Sequence, residues 1–186
     1  FIQLAGFEPL YSKGNSQVFQ LLKSIPNALI NFKKEHKAIE KIVDPDDQAD
    51  PQVLVLCPTR ELAMQVSEEM RKFSKYKEGL RVVAVYGGQN IDTQIRALKR
   101  ASVVVGTPGR VIDHLRRRTL KLSSLRMVVL DEADEMLDMG FYKDVRRILD
   151  LLKNKKQVLM FSATISREVM DVSWKYQRDE VEITVE

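Results

Sequence analysis

The chain has 186 residues, 44% of them hydrophobic, and carries 30 Lys/Arg against 26 Asp/Glu for a net charge of +4. That length suits one domain with a real hydrophobic core rather than two, and no apolar run approaches the roughly 18 residues that a membrane span needs. One cysteine, Cys57, excludes an internal disulfide and fits the reducing cytoplasm.

Cytoplasmic localisation with no membrane partner is therefore expected. The chain starts at Phe1 rather than Met and shows no leader pattern, so it reads as a fragment or a trimmed piece. The first fifty residues hold six lysines and seven acids. The basic excess thus lies beyond Pro51, although a charge of this size does not by itself identify a polyanionic partner.

In chain order, Gln17–Leu29 predicts a helix closing near Pro26, and Asn31–Val43 a second. Asp44–Pro51 is acidic, bounded by proline, and predicts a loop. From Val53 onward two patterns alternate. Short β-branched runs at Val53–Cys57, Val82–Tyr86, Ser102–Val105, Met127–Leu130 and Val158–Phe161 predict strands. Between them Arg60–Tyr76, Asp92–Arg100, Arg110–Arg116 and Phe141–Lys153 predict helices. The strand runs are almost continuously apolar, the signature of strands buried on both faces. Strand–helix repetition of this kind predicts a mostly parallel α/β sheet with helices on both faces.

Ligands of such sheets sit at the carboxyl ends of the strands. The residues there are Pro58-Thr59-Arg60-Glu61-Leu62, then Gly87-Gly88, then Gly106-Thr107-Pro108-Gly109-Arg110, then Asp131-Glu132-Ala133-Asp134, then Ser162-Ala163-Thr164. A purely structural domain has no need of charged, polar and glycine residues in five consecutive loops. Four apolar residues followed by Asp131-Glu132 form an acidic strand end suited to phosphate transfer. Asp131 can hold magnesium, which prefers carboxylate and water oxygens, and Glu132 can polarise an attacking water. The same pair is also a favourable acidic turn opening a helix.

The tetrad Asp131–Asp134, with the other loops in order, resembles the DEAD-box family of ATP-dependent RNA helicases, in its first RecA-like domain. Pro58–Leu62 resembles motif Ia, Gly87-Gly88 the double-glycine motif, Thr107–Arg110 motif Ib, Asp131–Asp134 motif II and Ser162–Thr164 motif III. The style is closest to bacterial members. The resemblance covers about Ala38 to Glu186, so 1–37 reads as a divergent or incomplete N-terminal part of a single domain spanning 1–186.

The resemblance implies a RecA-like, P-loop NTPase-type fold, with ATP and Mg2+ as cofactors and single-stranded or duplex RNA, held by its phosphate backbone, as partner. Asp131 would hold the metal through water, and Glu132 would act as hydrolytic base. Asp134 would pair with Ser162 and Thr164, linking nucleotide state to domain closure. Pro58, Thr59, Arg60, Gly88, Thr107, Gly109 and Arg110 would contact RNA. A second RecA-like domain, not in this chain, would complete the RNA cleft. Physical chemistry agrees: glycines let phosphates approach main-chain N–H groups, helix N-termini at Arg60 and Arg110 attract anions, and arginine offers a permanent forked charge.

One expected element is missing. The family carries a Gly-Lys-Ser/Thr phosphate loop upstream of motif Ia, yet none of the eight glycines here is followed by Lys-Ser or Lys-Thr. Gly6-Phe7-Glu8 resembles the opening of the family's Q motif, and Gln20 is the nearest candidate for the adenine-reading glutamine, with Gln17 no better. Ser24–Leu29 and Ala38–Ile42 resemble the helices that flank the loop. The alternatives are a skipped segment, a true deletion that opens a groove in the sheet, or unrelated sequence joined to a helicase body. A rival function is a degenerate or engineered domain that binds RNA or a protein without hydrolysing ATP.

The remaining chemistry-bearing residues read as ordinary. Cys57 is expected to be a buried strand residue. Arg116-Arg117-Arg118 is expected to be a solvated helix end, and Trp174 a core residue rather than a stacking platform. His36 and His114 lack metal-ligand spacing. Ser162 and Thr164 have a blander reading as caps of a helix starting near Arg167.

Overall fold

The computed structural model describes residues 2–5, 50–74, 79–152, 157–177 and 181–183. Its strands are β1 (Ile2–Ala5), β2 (Val53–Leu56), β3 (Val82–Val85), β4 (Val103–Gly106), β5 (Met127–Leu130), β6 (Gln157–Phe161) and β7 (Val181–Ile183). Its α-helices are α1 (Arg60–Ser74), α2 (Ile91–Leu98), α3 (Pro108–Arg116), α4 (Ala133–Met136), α5 (Tyr142–Asp150) and α6 (Arg167–Tyr176). A wide helical turn, Leu137–Phe141, joins α4 to α5 around Gly140, which is left-handed at φ 87°.

The strands form one sheet in the order β3-β4-β2-β5-β6-β1-β7. The five strands from β3 to β6 are parallel and in step: Val53 pairs with both Val103 and Met127, Val82 with Val103, and Met127 with Gln157. These are the five runs read from the sequence. Their apolar continuity follows from burial on both faces.

Alternate residues supply two cores. Leu54, Leu56, Val104, Val128, Leu130 and Met160 pack with residues from α2 to α6. Val53, Val55, Val103, Val105, Val129 and Phe161 pack with Ala63 and Val66 of α1. The fold is RecA-like α/β, with helices on both faces as expected.

β1 and β7 are additions to the five expected strands. β1 runs antiparallel to β6, with Ile2 opposite Phe161, and antiparallel to β7, with Ile2 opposite Ile183. The edge of β6 is therefore paired with β1. The helices expected within 17–43 fall outside the described residues.

Helix limits move for local reasons. α3 begins at Pro108, two residues before the expected Arg110, because proline suits the first helical turn. α6 buries Val169, Val172 and Ser173 at helical spacing. Trp174 falls on the opposite side and is 67% exposed, so the expectation of a core tryptophan is corrected.

Candidate functional site

The strand order sorts the candidate residues into two groups. β3, β4 and β2 are neighbours, and the loops after them carry Gly88, then Thr107, Gly109 and Arg110, then Pro58, Thr59 and Arg60. β5 and β6 are neighbours on the other side of β2, and their loops carry Asp131, Glu132 and Asp134, then Ser162 and Thr164. Because all five strands are parallel, both groups lie at the same end of the sheet.

In the first group, Thr59 caps α1, its hydroxyl accepting from the Leu62 amide at 3.2 Å. Pro58 is buried and Arg60 exposed. The Arg60 guanidinium lies over the Tyr86 ring, 5.3 Å from its centre, a contact with no signal in the sequence. Gly88 is left-handed at φ +80°, and a Cβ there would stand 3.4 Å from Arg60 Nη1. Gly106 is required by packing, since a Cβ there would stand 2.7 Å from the Val85 carbonyl oxygen. Thr107 is the N-cap position of α3 and makes no side-chain cap bond, so the first amides of that helix are not capped by it. Arg110 lies in the first turn rather than at the helix start, and its Nη1 donates to the Gln89 carbonyl at 3.0 Å and to Gln94 Oε1 at 3.1 Å.

In the second group, Asp131 is buried and held in place by its amide, which donates to the Leu56 carbonyl at 2.9 Å. Burial first, and the neighbouring Glu132 charge second, push its carboxyl up to about 7. Glu132 is exposed and left-handed, at φ 49° and ψ 56°. Few non-glycine residues adopt this conformation, and they concentrate at functional sites. Behind them Cys57 is fully buried, as expected, and burial with the Asp131 and Glu132 charges raises its thiol pKa.

Asp134 meets the Ser162–Thr164 loop. One carboxylate oxygen accepts from both the amide and the hydroxyl of Thr164, each at 2.8 Å. Ser162 takes part differently from the expected carboxylate contact: its hydroxyl accepts from the Asp134 amide at 3.2 Å and donates to the Thr164 carbonyl at 2.8 Å. Burial opposes ionisation of Asp134, but the Thr164 hydroxyl and amide, with smaller help from the Glu135 amide and Ser162, outweigh it and hold the carboxyl below its ordinary value. Neither residue caps α6; Ser166 does so, accepting from the Val169 amide.

Arg116, Arg117 and Arg118 are exposed at the end of α3, as a solvated helix end should be. His114 is fully buried and hydrogen-bonded to Gln94 and Thr119. Gln20, Gln17 and His36 lie outside the described residues.

A parallel sheet that presents an acidic strand end, a hydroxyl loop bonded to it, and arginines with glycines on the adjoining loops is a RecA-like helicase domain. The DEAD/DEAH box helicase model matches residues 29–172, and the chain belongs to that family, as the N-terminal RecA-like domain of a DEAD-box RNA helicase. The match begins nine residues before the expected Ala38.

The chain is 49% identical over 144 residues to the ATP-dependent RNA helicase DeaD of Haemophilus influenzae, covering 77% of this chain and 23% of that protein. It is likewise 49% identical to DeaD of Escherichia coli K12, again covering 77% of this chain and 23% of the relative. It thus spans under a quarter of the length of these relatives. Among solved structures, a DEAD box protein from Methanococcus jannaschii is 44% identical with a TM-score of 0.69, over 80% of this chain and 40% of that one. A hypothetical ATP-dependent RNA helicase from Sulfolobus tokodaii is 40% identical with a TM-score of 0.65, over 68% of this chain and 38% of that one.

No helix among the described residues is long and apolar enough to cross a membrane.

Proposed function

We propose that this chain is the ATP- and RNA-binding N-terminal domain of an ATP-dependent RNA helicase that works in the cytoplasm. The observation that carries the reading is the separation of the two residue groups on one end of the sheet. The loops after β3, β4 and β2 form a cradle for an RNA backbone. Its donors are the arginines Arg60 and Arg110 and the main chain around Gly88, Thr107 and Gly109, with Pro58 and Thr59 fixing the start of α1. Contacts of this type bind phosphate without reading base sequence.

The loops after β5 and β6 form the hydrolytic side. Magnesium fits the residues present. Among the described residues no cluster of three or more His, Cys, Asp or Glu exists to enclose a metal. One carboxylate at the strand end, Asp131, with Asp134 turned to Thr164, is the arrangement that suits an ion retaining most of its waters and binding substrate phosphates. A dication also removes the penalty that burial places on the charged form of Asp131. When bound, the metal would neutralise charge on the phosphates. Glu132, exposed beside it, holds and orients the attacking water and accepts its proton. Asp134, through Thr164 and Ser162, ties the acidic loop to the β6 loop, so a movement of one is felt by the other.

The chain lacks Gly-Lys-Ser/Thr, so RNA is the ligand to measure first, and Mg-ATP affinity of these 186 residues alone is expected to be weak. Calorimetry showing micromolar Mg-ATP binding to this chain would contradict that expectation. A second RecA-like domain in the longer protein would supply the other wall of the RNA cleft and the remaining contacts to ATP.

The test of the RNA reading is a titration of single-stranded RNA over a salt series. Arg60→Ala is expected to weaken binding equally for unrelated sequences and to reduce the salt slope by about one phosphate contact. A change of sequence preference with the slope untouched would sink the backbone-contact role.

A further inference from the structure

Gln94 stands on the buried stripe of α2, between Ile91 and Leu98, and is 2% exposed. Its side-chain nitrogen donates to the Tyr86 carbonyl at 3.0 Å and to Gln89 Oε1 at 2.7 Å. Its side-chain oxygen accepts from Arg110 Nη1 at 3.1 Å and pairs with His114 Nε2 at 2.9 Å. An amide side chain has two donors and two lone pairs, so the full capacity of Gln94 is used.

The orientation of this amide follows from its partners. The Tyr86 carbonyl can only accept and the Arg110 guanidinium can only donate, so nitrogen must face Tyr86 and oxygen Arg110. His114 Nε2 must then carry a hydrogen for the same oxygen. Its Nδ1, 2.8 Å from the Thr119 hydroxyl, is left as acceptor in a neutral ring. Burial, and secondarily the Arg110 charge, keep that ring neutral by lowering its pKa.

We propose that Gln94 is a positioning residue that joins the Gly87–Gln89 loop and Arg110 into one RNA-backbone surface. The two pieces follow different strands, β3 and β4. They share no covalent neighbour, yet Gln94 holds both, and Arg110 Nη1 also donates to the Gln89 carbonyl at 3.0 Å. Anchoring Nη1, with Nε 3.8 Å from Asp113 Oδ2, fixes the rotamer and leaves the remaining N–H groups of the fork for phosphate, so less freedom is lost when RNA arrives. His114 secures the Gln94 oxygen from the core side. The proposal rests on the reading of Gly88 and Arg110 as RNA contacts.

The experiment compares the full-length protein with Arg110→Ala, Gln94→Met, Gln94→Leu and the double variant Gln94→Met/Arg110→Ala. Single-stranded RNA affinity and its salt slope are measured by anisotropy, and thermal melting is followed in parallel. Gln94→Met keeps the volume of the side chain and removes its hydrogen bonds. Arg110→Ala and Gln94→Met are each expected to weaken binding by about 3- to 10-fold, and the double variant to bind no more weakly than Arg110→Ala alone. Losses that multiply in the double variant overturn the proposal, because they assign the effect of Gln94 to something other than Arg110.

Native affinity and slope in a folded Gln94→Met, with Arg110→Ala weakened, also overturn it and leave the RNA reading intact. Native binding in Arg110→Ala removes the RNA role of Arg110, and the proposal with it. Should both Gln94 variants fail to fold, hydrogen exchange of the Gln94 side-chain amide in the unaltered protein decides. Slow exchange supports the clamp, and exchange at the rate of a free amide refutes it.

Discussion

The carboxylate of Asp134 takes two hydrogen bonds from one residue, the amide and the hydroxyl of Thr164, each at 2.8 Å. Thirty residues of sequence separate the partners, and two adjacent parallel strands bring them together. These bonds tie the acidic loop directly to the hydroxyl loop.

Thr164→Val removes the hydroxyl and keeps the shape, and is expected to cost about 1–2 kcal/mol of stability. Thr164→Ser should recover most of it. Because the folded Asp134 pKa lies below its unfolded value, this stability is present above the ordinary carboxylate pKa and is lost as pH falls through the folded one. Thr164→Val should lose less stability between pH 6 and acid than the native chain does. Denaturant melts at both pH values check this, and parallel pH curves for the two proteins would refute it.

Asp131 has the opposite sign. Its carboxyl is raised from 3.8 to about 7 in the fold, so the folded state keeps a proton that the unfolded state releases. Its contribution to stability is full below the unfolded value and is lost as pH rises through the folded one. Asp131→Asn is expected to match the native protein near pH 4 and to exceed it by roughly 1–3 kcal/mol at pH 8 in metal-free buffer. Equal stability at pH 8 would mean that Asp131 is ionised without penalty.

Glu132 occupies left-handed backbone at φ 49°, a conformation costing a side-chain-bearing residue on the order of 1–2 kcal/mol. Glu132→Gly is therefore expected to raise the melting temperature, with a gain of about 0.5–1 kcal/mol, while Glu132→Val lowers it. Both should abolish RNA-stimulated ATP hydrolysis by the longer protein if Glu132 is the hydrolytic base. Hydrolysis persisting in Glu132→Gly would remove that role, whatever the melting curves show.

The parts of this fold that the sequence announces are those with local causes. The five parallel strands are continuous apolar runs because each is buried on both faces. The acidic and hydroxyl loops announce themselves because they directly follow such runs. What stays hidden depends on distant partners. Ile2–Ala5 and Val181–Ile183 are too short to show a period, and their strand character comes from pairing across most of the chain length. For Gln94 the available signal is a polar residue between Ile91 and Leu98 on an apolar stripe, but its partners sit on two other segments, Tyr86 after β3 and Arg110 and His114 on α3. Trp174 reads as core only while aromatic content is weighed above helical phase, and the phase set by Val169, Val172 and Ser173 points it to solvent.

Two glycines on either side of the β4–α3 junction should respond in opposite ways to one added methyl group. At Gly106 a Cβ would stand 2.5 Å from Val85 Cγ2 and 2.7 Å from the Val85 carbonyl oxygen, and backbone cannot yield as a flexible side chain can. Gly106→Ala is expected to destabilise the domain by about 1–3 kcal/mol. At Gly109 nothing lies within 4 Å of the place a Cβ would take, and the residue sits in the first turn of α3 with no positive φ. Alanine there improves helix propensity and restricts the unfolded chain, so Gly109→Ala should stabilise by about 0.4–1 kcal/mol. The open space beside Gly109 is also where RNA phosphate would approach the first amides of α3. The same substitution should therefore weaken single-stranded RNA binding while the melting temperature rises. Thermal melts and RNA titrations on the two variants make the comparison. Unchanged RNA affinity in a stabilised Gly109→Ala would place the RNA path away from α3, whereas stability and affinity moving in opposite directions would fix the start of α3 as part of it.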